Sequence, residues 1–106
     1  MTFFGQPTNL HAVWDYGLME HTGLTVTAWT DLLNRPGLSE DGRGTPVVWA
    51  EESVRVAAEH CYQIPASHEL GQAYLDASLP VLKQQLFRGG VRLAALLNAI
   101  LERAAH

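Results

Sequence analysis

Near its start the chain reads Asn9-Leu10-His11-Ala12-Val13-Trp14-Asp15, which combines an apolar helical pattern with two polar side chains. His11 and Asp15 are four residues apart, so a helix would place both side chains on one face, one turn apart. An imidazole nitrogen and a carboxylate oxygen are both ligands that zinc accepts. Apolar residues at helical spacing would anchor the same helix: Leu10, Val13, Trp14 and Leu18. The stretch therefore predicts a helix with a polar edge, which is either part of a metal site or a hydrogen-bonded surface pair.

Two ligands do not complete a zinc site, which needs four protein donors or three and a water. None of the other histidines is spaced so as to join His11 and Asp15 on the same face of the predicted helix. His21 lies on a different face of the predicted helix, and His60 is expected in a packing position beside Cys61. We place His68 at the exposed start of a helix and His106 in the chain terminus. If His11 and Asp15 bind a metal ion, either another part of this chain supplies the remaining donors or something outside it does.

The composition predicts an ordinary globular protein. With 106 residues, 47% of them hydrophobic and 17% charged, a single domain spanning residues 1–106 is expected. A formal net charge of -4 argues against a broad basic surface for duplex binding. Cys61 is the one cysteine in the sequence, which excludes an internal disulfide and predicts a buried structural thiol. The opening residues lack an export signal, and no apolar run approaches the ~20 residues that span a bilayer.

The pattern along the chain predicts an all-α fold of about four to five helices. After an extended lead-in over residues 1–8, Thr8 or Asn9 can cap a first helix that stops at Gly23. A loop is predicted over residues 35–46, where glycine and proline are frequent. The predicted helices run from the cap to about Glu20, over Thr25–Asn34, over Val47–Tyr62, from a Ser67 cap through Leu75, and over Val81–Ala104.

Several positions carry alternatives or specific packing predictions. Pro80 marks either a helix restart or a kink. Gly89-Gly90 either permits the close approach of another helix or hinges two shorter ones. The three tryptophans, Trp14, Trp29 and Trp49, are predicted to lie in the core, the alternative being stacking on bases. The third helix is predicted to bury Val48, Trp49, Val54, Ala57, Ala58 and Cys61.

The run from Gly5 to Asp15, with its Asn-Leu-His-x-x-Trp-Asp core, resembles the S1/P1 nuclease family. These are zinc-dependent, single-strand-specific nucleases that include mung bean nuclease. Weaker similarities follow in order along the chain: Trp49-Ala50-Glu51-Glu52-Ser53, Tyr74, Gln85-Leu86, Gly90-Val91-Arg92-Leu93-Ala94 and Leu97-Asn98. The resemblance is to the C-terminal part of such an enzyme. Tyr16 departs from it, since the family usually has a small polar residue there.

The resemblance implies a helical fragment of the phospholipase C/nuclease-like fold. Family members hold three zinc ions in a cleft and hydrolyse phosphodiester bonds of single-stranded nucleic acid to give 5′-phosphates. They are typically secreted or periplasmic. His11 and Asp15 would ligate one zinc ion, and a further histidine would come from a segment that precedes this stretch in the family.

Two hypotheses follow. The first is a partial zinc-dependent endonuclease whose site is completed by a missing N-terminal segment or another polypeptide. The second is a non-catalytic helical binding or assembly module. It would be a homodimer that buries exposed apolar faces and brings two His11–Asp15 pairs around a residual zinc.

Overall fold

The computed structural model describes residues 1–34 and 42–105, and helices dominate it, as predicted. The helices are α1 (Leu10–Ala12), α2 (Leu18–His21), α3 (Val26–Leu33), α4 (Pro46–Val56) and α5 (Gln72–Ala105). Two π-helical turns, Val13–Gly17 and Ala57–Cys61, continue α1 into α2 and extend α4. Three short strands complete the described part: β1 (Thr2–Phe3), β2 (Gln6–Pro7) and β3 (Glu69–Leu70). No helix among the described residues has the length and apolarity to cross a membrane.

Local capping residues set the helix starts that the sequence predicts. Asn9 Oδ1 accepts a hydrogen bond from Ala12 N at 2.8 Å, so Asn9 caps α1. The hydroxyl of Thr25 caps α3 and that of Thr45 caps α4 in the same way. Gly23, at φ +70°, takes the left-handed conformation expected at the end of the run. These predicted helix boundaries are confirmed. The sequence could predict them because each boundary depends only on neighbouring residues.

The predicted helix that begins at a Ser67 cap is wrong. Ser67 Oγ instead accepts a hydrogen bond from Glu69 N at 3.3 Å, two residues on, which closes a turn. Glu69–Leu70 then pairs in parallel with β1, while β2 pairs with the other edge of β1 in antiparallel. His68 adopts a left-handed φ of 58° before this strand. His68 and Glu69 therefore lie in a turn and a strand, and the helix begins at Gln72.

α5 is one continuous helix of 34 residues. Its interior contains Pro80, so the predicted restart does not occur, and Gly89-Gly90 is not a hinge between two helices. Ser78 and Leu82 are buried on either side of Pro80, which is itself exposed. Packing on both sides holds the helix together where one backbone hydrogen bond is missing. A Cβ built on Gly89 or Gly90 would have no neighbour within 4 Å, so no described helix uses the close approach.

The segment over residues 10–21, which consists of α1, its π-helical turn and α2, is called the first helical run. The core lies where this run, α3, β3 and the first half of α5 meet. Its buried members are Val13, Leu18, Trp29, Leu70, Tyr74, Leu75 and Leu82. Trp29 confirms the prediction of a core tryptophan at 4% exposure, and Trp14 packs against this core while partly exposed. Trp49 lies outside the cluster, and Cys61 is half-buried rather than buried.

The predicted core face of α4 is wrong. Val48 is 53% exposed and Val54 is 70% exposed, and no residue of α4 or of the turn that follows it is buried. The apolar spacing predicts the helix correctly, but it cannot say whether another element covers that face. The predicted loop falls mainly on residues 35–41, which lie outside the described residues, as does His106.

Candidate metal centre

The two predicted ligands lie on the first helical run, in different kinds of helix. His11 belongs to α1 and Asp15 to the π-helical turn that follows it, and both side chains are exposed. Leu18 N donates to Val13 O, the i→i−5 hydrogen bond that defines the wider turn. In an α-helix, with 3.6 residues per turn, a residue four positions on lies just beyond one full turn. In the wider π-helical turn the same residue lies just short of one full turn. His11 and Asp15 therefore share one side of the helix in either geometry.

Buried neighbours hold this helix firmly. Val13 is 1% exposed and Leu18 is 0% exposed, and the two bracket Asp15 in sequence. Their burial fixes the opposite side of the run against the core, so the polar edge faces away from it. The platform under the two donors is therefore well packed.

A hydrogen-bonded chain adds a second anchor next to Asp15. Trp14 Nε1 donates to the hydroxyl of Tyr74 at 2.8 Å, and that hydroxyl donates to Cys61 O at 2.7 Å. The Trp14 and Tyr74 rings meet edge-on, with centroids 6.5 Å apart. Burial raises the pKa of Tyr74, so the hydroxyl stays protonated and keeps its donor role. The first helical run, the end of α4 and α5 are joined through this one hydroxyl.

The remaining histidines do not join the pair. His21 stacks on Phe4 with ring centroids 3.7 Å apart and also meets Phe3 edge-on. His60 is exposed and lines a cavity of about 580 Å³ beside Pro80 and Lys83. Within residues 1–34 and 42–105, no three His, Cys, Asp or Glu side chains lie close enough together to hold a metal ion.

The donors therefore suit zinc in kind but not in number. An exposed imidazole and carboxylate on one side of a packed helix match the ligand types of zinc proteins. A tetrahedral site needs at least one further protein donor, which the described residues do not bring to this edge. His11 and Asp15 by themselves therefore cannot complete a zinc site.

A second polar cluster, between α4 and α5, was not predicted. Arg88 pairs with Glu52 Oε1 at 2.7 Å and Arg92 with Glu52 Oε2 at 2.5 Å. The hydrogen bond from Arg92 holds the pKa of Glu52 below its ordinary value, against the opposing effect of burial. Arg92 also lies over the Trp49 ring, 5.5 Å from its centroid, and Trp49 Nε1 donates to Arg43 O at 2.8 Å. The four-residue spacing of Arg88 and Arg92 was the available signal, but their partner Glu52 is 36 positions from Arg88.

The described residues form a mostly helical protein with an exposed imidazole and carboxylate on one side of its first helical run. The family model for S1/P1 Nuclease matches residues 1–102, and the chain belongs to this family. It is similar to Endonuclease 2 of Arabidopsis thaliana, with 27% identity over 92% of this chain and 40% of the relative. Endonuclease 3 of the same plant is 29% identical over 92% of this chain and 40% of its own length.

The chain thus spans about 40% of the length of these curated relatives. No solved structure was found to match it. Family membership agrees with the resemblance carried by the run from Gly5 to Asp15.

Proposed function

We propose that this chain is the part of an S1/P1-type nuclease that supplies His11 and Asp15 as two ligands of one zinc ion. The observation that carries the proposal is the position of both donors on the exposed edge of a buried helix, in a chain that belongs to this family. The relatives' names, all endonucleases, support phosphodiester hydrolysis as the reaction. By resemblance to the family, the substrate is single-stranded nucleic acid and the products carry 5′-phosphates.

When bound, zinc supplies an activated water and polarises a phosphoryl oxygen. The chain's own contribution is to hold two donors at a fixed spacing. Val13 and Leu18 hold the helix from the core, and the hydrogen bond from Trp14 to Tyr74 fixes its rotation. Because the chain has a net charge of -4, it repels phosphates, and zinc ions bound at this edge would offset that repulsion.

The remaining donors of the site come from polypeptide outside these residues. The chain covers 40% of the length of its relative Endonuclease 2. The remaining donors can therefore lie in the part of the family fold that this chain does not include. We therefore expect the chain by itself to bind zinc weakly and to cleave no nucleic acid. Loss of ligands from a multi-metal site removes the activated water and the charge neutralisation together.

A chimaera tests this proposal. Residues 1–102 would replace the matching stretch of Arabidopsis Endonuclease 2, and zinc content and cleavage of single-stranded DNA and RNA would be measured. The chimaera should cleave, and His11→Ala should reduce cleavage and zinc content together, with activity at least ~100-fold lower. His60→Ala is the matched control, because His60 is also exposed but lies at the cavity beside Pro80.

Each outcome bears on a different part of the proposal. Unchanged zinc content and cleavage in the His11→Ala chimaera would exclude His11 as a ligand. Bound zinc that depends on His11 without any cleavage would favour the helical binding or assembly module over the nuclease. Circular dichroism of both variants would verify that the exposed substitutions leave the fold intact.

A further inference from the structure

The π-helical turn Val13–Gly17 determines which side chains of the first helical run enter the core. Val13 is 1% exposed and Leu18 is 0% exposed, and both belong to the core cluster. In a regular α-helix, residues five positions apart point about 140° away from each other, so these two would face different surroundings. The hydrogen bond from Leu18 N to Val13 O instead places them one turn apart on the same side. The burial of both on one side of the run therefore depends on the wider turn.

A regular α-helix would bury a different pair. Trp14 and Leu18 are four positions apart, so an α-helical turn would place the indole beside Leu18 and turn Val13 away. In the structure, Trp14 is half-buried at the edge of the core, where its Nε1 donates to the Tyr74 hydroxyl at 2.8 Å. A buried indole N–H needs such an acceptor. The two forms of the turn thus exchange Val13 for Trp14 as the core neighbour of Leu18, and Tyr74 favours the π-helical form.

The Tyr74 hydroxyl joins the two π-helical turns found among the described residues. It accepts from Trp14 in the first turn and donates at 2.7 Å to the carbonyl oxygen of Cys61, the last residue of the second turn. Because its proton is committed to Cys61 O, the hydroxyl acts toward Trp14 as an acceptor only. Such turns are rare in globular proteins and occur frequently at functional sites. Their meeting at one hydroxyl indicates that Tyr74 has a role beyond filling the core.

The form of the first turn sets the direction of Asp15. Asp15 is the middle residue of the turn, and His11 lies just before it in α1. In an α-helix, the residue four positions on lies about 40° beyond a full turn. The wider turn reduces the rotation from one residue to the next, so Asp15 is turned back toward the direction of His11. A change that carries Trp14 into the core would therefore also redirect Asp15.

We propose that Tyr74 is a positioning residue for Asp15. Its hydroxyl holds Trp14 at the edge of the core, keeps residues 13–17 in the π-helical form and thereby sets the direction of Asp15 relative to His11. Tyr74 acts through Trp14 and not by contact with a metal ion. The consequence for zinc binding rests on the proposed function, whereas the effect of the hydroxyl on the turn involves no zinc.

Scalar couplings across hydrogen bonds, measured by NMR on the 106-residue chain without metal, test the effect on the turn. The wild-type chain should show a coupling from the Leu18 amide to the carbonyl carbon of Val13. In Tyr74→Phe this coupling should weaken and one to the carbonyl carbon of Trp14 should appear. Loss of one hydrogen bond shifts such an equilibrium by on the order of fivefold. An unchanged coupling to Val13 in Tyr74→Phe would overturn the proposal.

Phe87→Leu is the matched control for a general loss of stability. Phe87 lies on α5, as Tyr74 does, and is 8% exposed, but it is outside the core cluster that holds the first helical run. The substitution should lower the thermal midpoint of unfolding and leave the coupling from Leu18 to Val13 as in the wild type. If Phe87→Leu weakened that coupling as much as Tyr74→Phe, the specific role of the hydroxyl would be excluded.

Zinc affinity of the Endonuclease 2 chimaera tests the consequence for Asp15. Tyr74→Phe should weaken zinc binding about 10-fold, as is usual for residues that orient a ligand, and Phe87→Leu should not. Trp14→Phe should have a similar effect. Because both act through one hydrogen bond, the double variant should bind zinc no more weakly than the weaker single variant. Additive losses would overturn the proposed route through Trp14.

The variant His11→Ala separates this inference from the proposed function. If His11→Ala weakens zinc binding and Tyr74→Phe does not, the positioning role is wrong while the proposed function survives. If His11→Ala leaves zinc binding unchanged, the proposed function is wrong, and with it the role of Tyr74 in orienting a ligand. The NMR couplings would then still decide whether the Tyr74 hydroxyl controls the form of the turn.

Discussion

The first helical run and α4 show two different ways of holding a helix in a small protein. The first run is anchored by burial, with Val13 and Leu18 almost fully inside the core. α4 buries no side chain, and it is attached to α5 through the ion pairs of Glu52 and the contact of Trp49 with Arg92. Apolar spacing alone therefore does not reveal which force fixes a helix. The predicted ligands lie on the helix that the core holds.

Leu18→Ala should produce the largest effect. The side chain is 0% exposed, so its truncation leaves a cavity beneath the first helical run and should cost about 2–5 kcal/mol of unfolding free energy. Urea denaturation followed by circular dichroism measures the loss. A change below about 1 kcal/mol would mean that burial is not what anchors this run.

Tyr74→Phe should have the next largest effect. The substitution keeps the ring but removes the hydroxyl that accepts from Trp14 Nε1 and donates to Cys61 O. Both partners are left without a hydrogen bond in a partly buried place, so we expect a loss of about 1–3 kcal/mol. The same denaturation experiment measures it, and Tyr62→Phe is the control because Tyr62 is 67% exposed. Equal effects of the two substitutions would contradict the anchoring role of Tyr74.

Glu52→Gln should destabilise α4 by about 1–2 kcal/mol at pH 7, since the side chain is partly buried and pairs with two arginines. The pKa of Glu52 is lowered by folding from an ordinary value of 4.5, so the unfolded chain binds the proton more tightly. The stabilisation is therefore present above pH 4.5 and is lost as the pH falls below it. Stability curves of wild type and variant should converge in acid, and a constant gap down to pH 3 would contradict this cause.

Val54→Ala should have the smallest effect. Its side chain is 70% exposed on α4, so we expect a change within about 0.5 kcal/mol despite its apolar character. A loss comparable to that of Leu18→Ala would mean that an element outside the described residues covers α4. This substitution thus tests whether α4 is held without buried apolar side chains.

What the sequence predicts correctly is mainly what neighbouring residues determine. Asn9, Thr25 and Thr45 cap helices through bonds that span three residues, and Gly23 ends the first run. β3 was missed because its partner β1 is more than sixty positions away and each strand has only two residues. Two-residue strands carry no alternation by which a sequence pattern could identify them.

In the candidate site, too, the features set by neighbouring residues could be predicted and the others could not. The spacing of His11 and Asp15 predicts a shared helical side, and the helix is present at that place. The π-helical turn that contains Asp15 was not predicted, because one wider turn leaves no signature in composition or spacing. The donors that would complete a zinc site would have to come from distant parts of the sequence or from another polypeptide, which local spacing does not reveal. The assignment of His11 and Asp15 as ligands stays a prediction.

The hydrogen bond between Trp14 and Tyr74 has a consequence for the order in which the protein matures during synthesis. The two residues are 60 positions apart, so the first helical run leaves the ribosome long before its anchor exists. A nascent chain that ends before α5 carries both predicted ligands but lacks the hydroxyl and the core residues that hold their helix. The polar edge therefore becomes a defined surface only once α5 has been made.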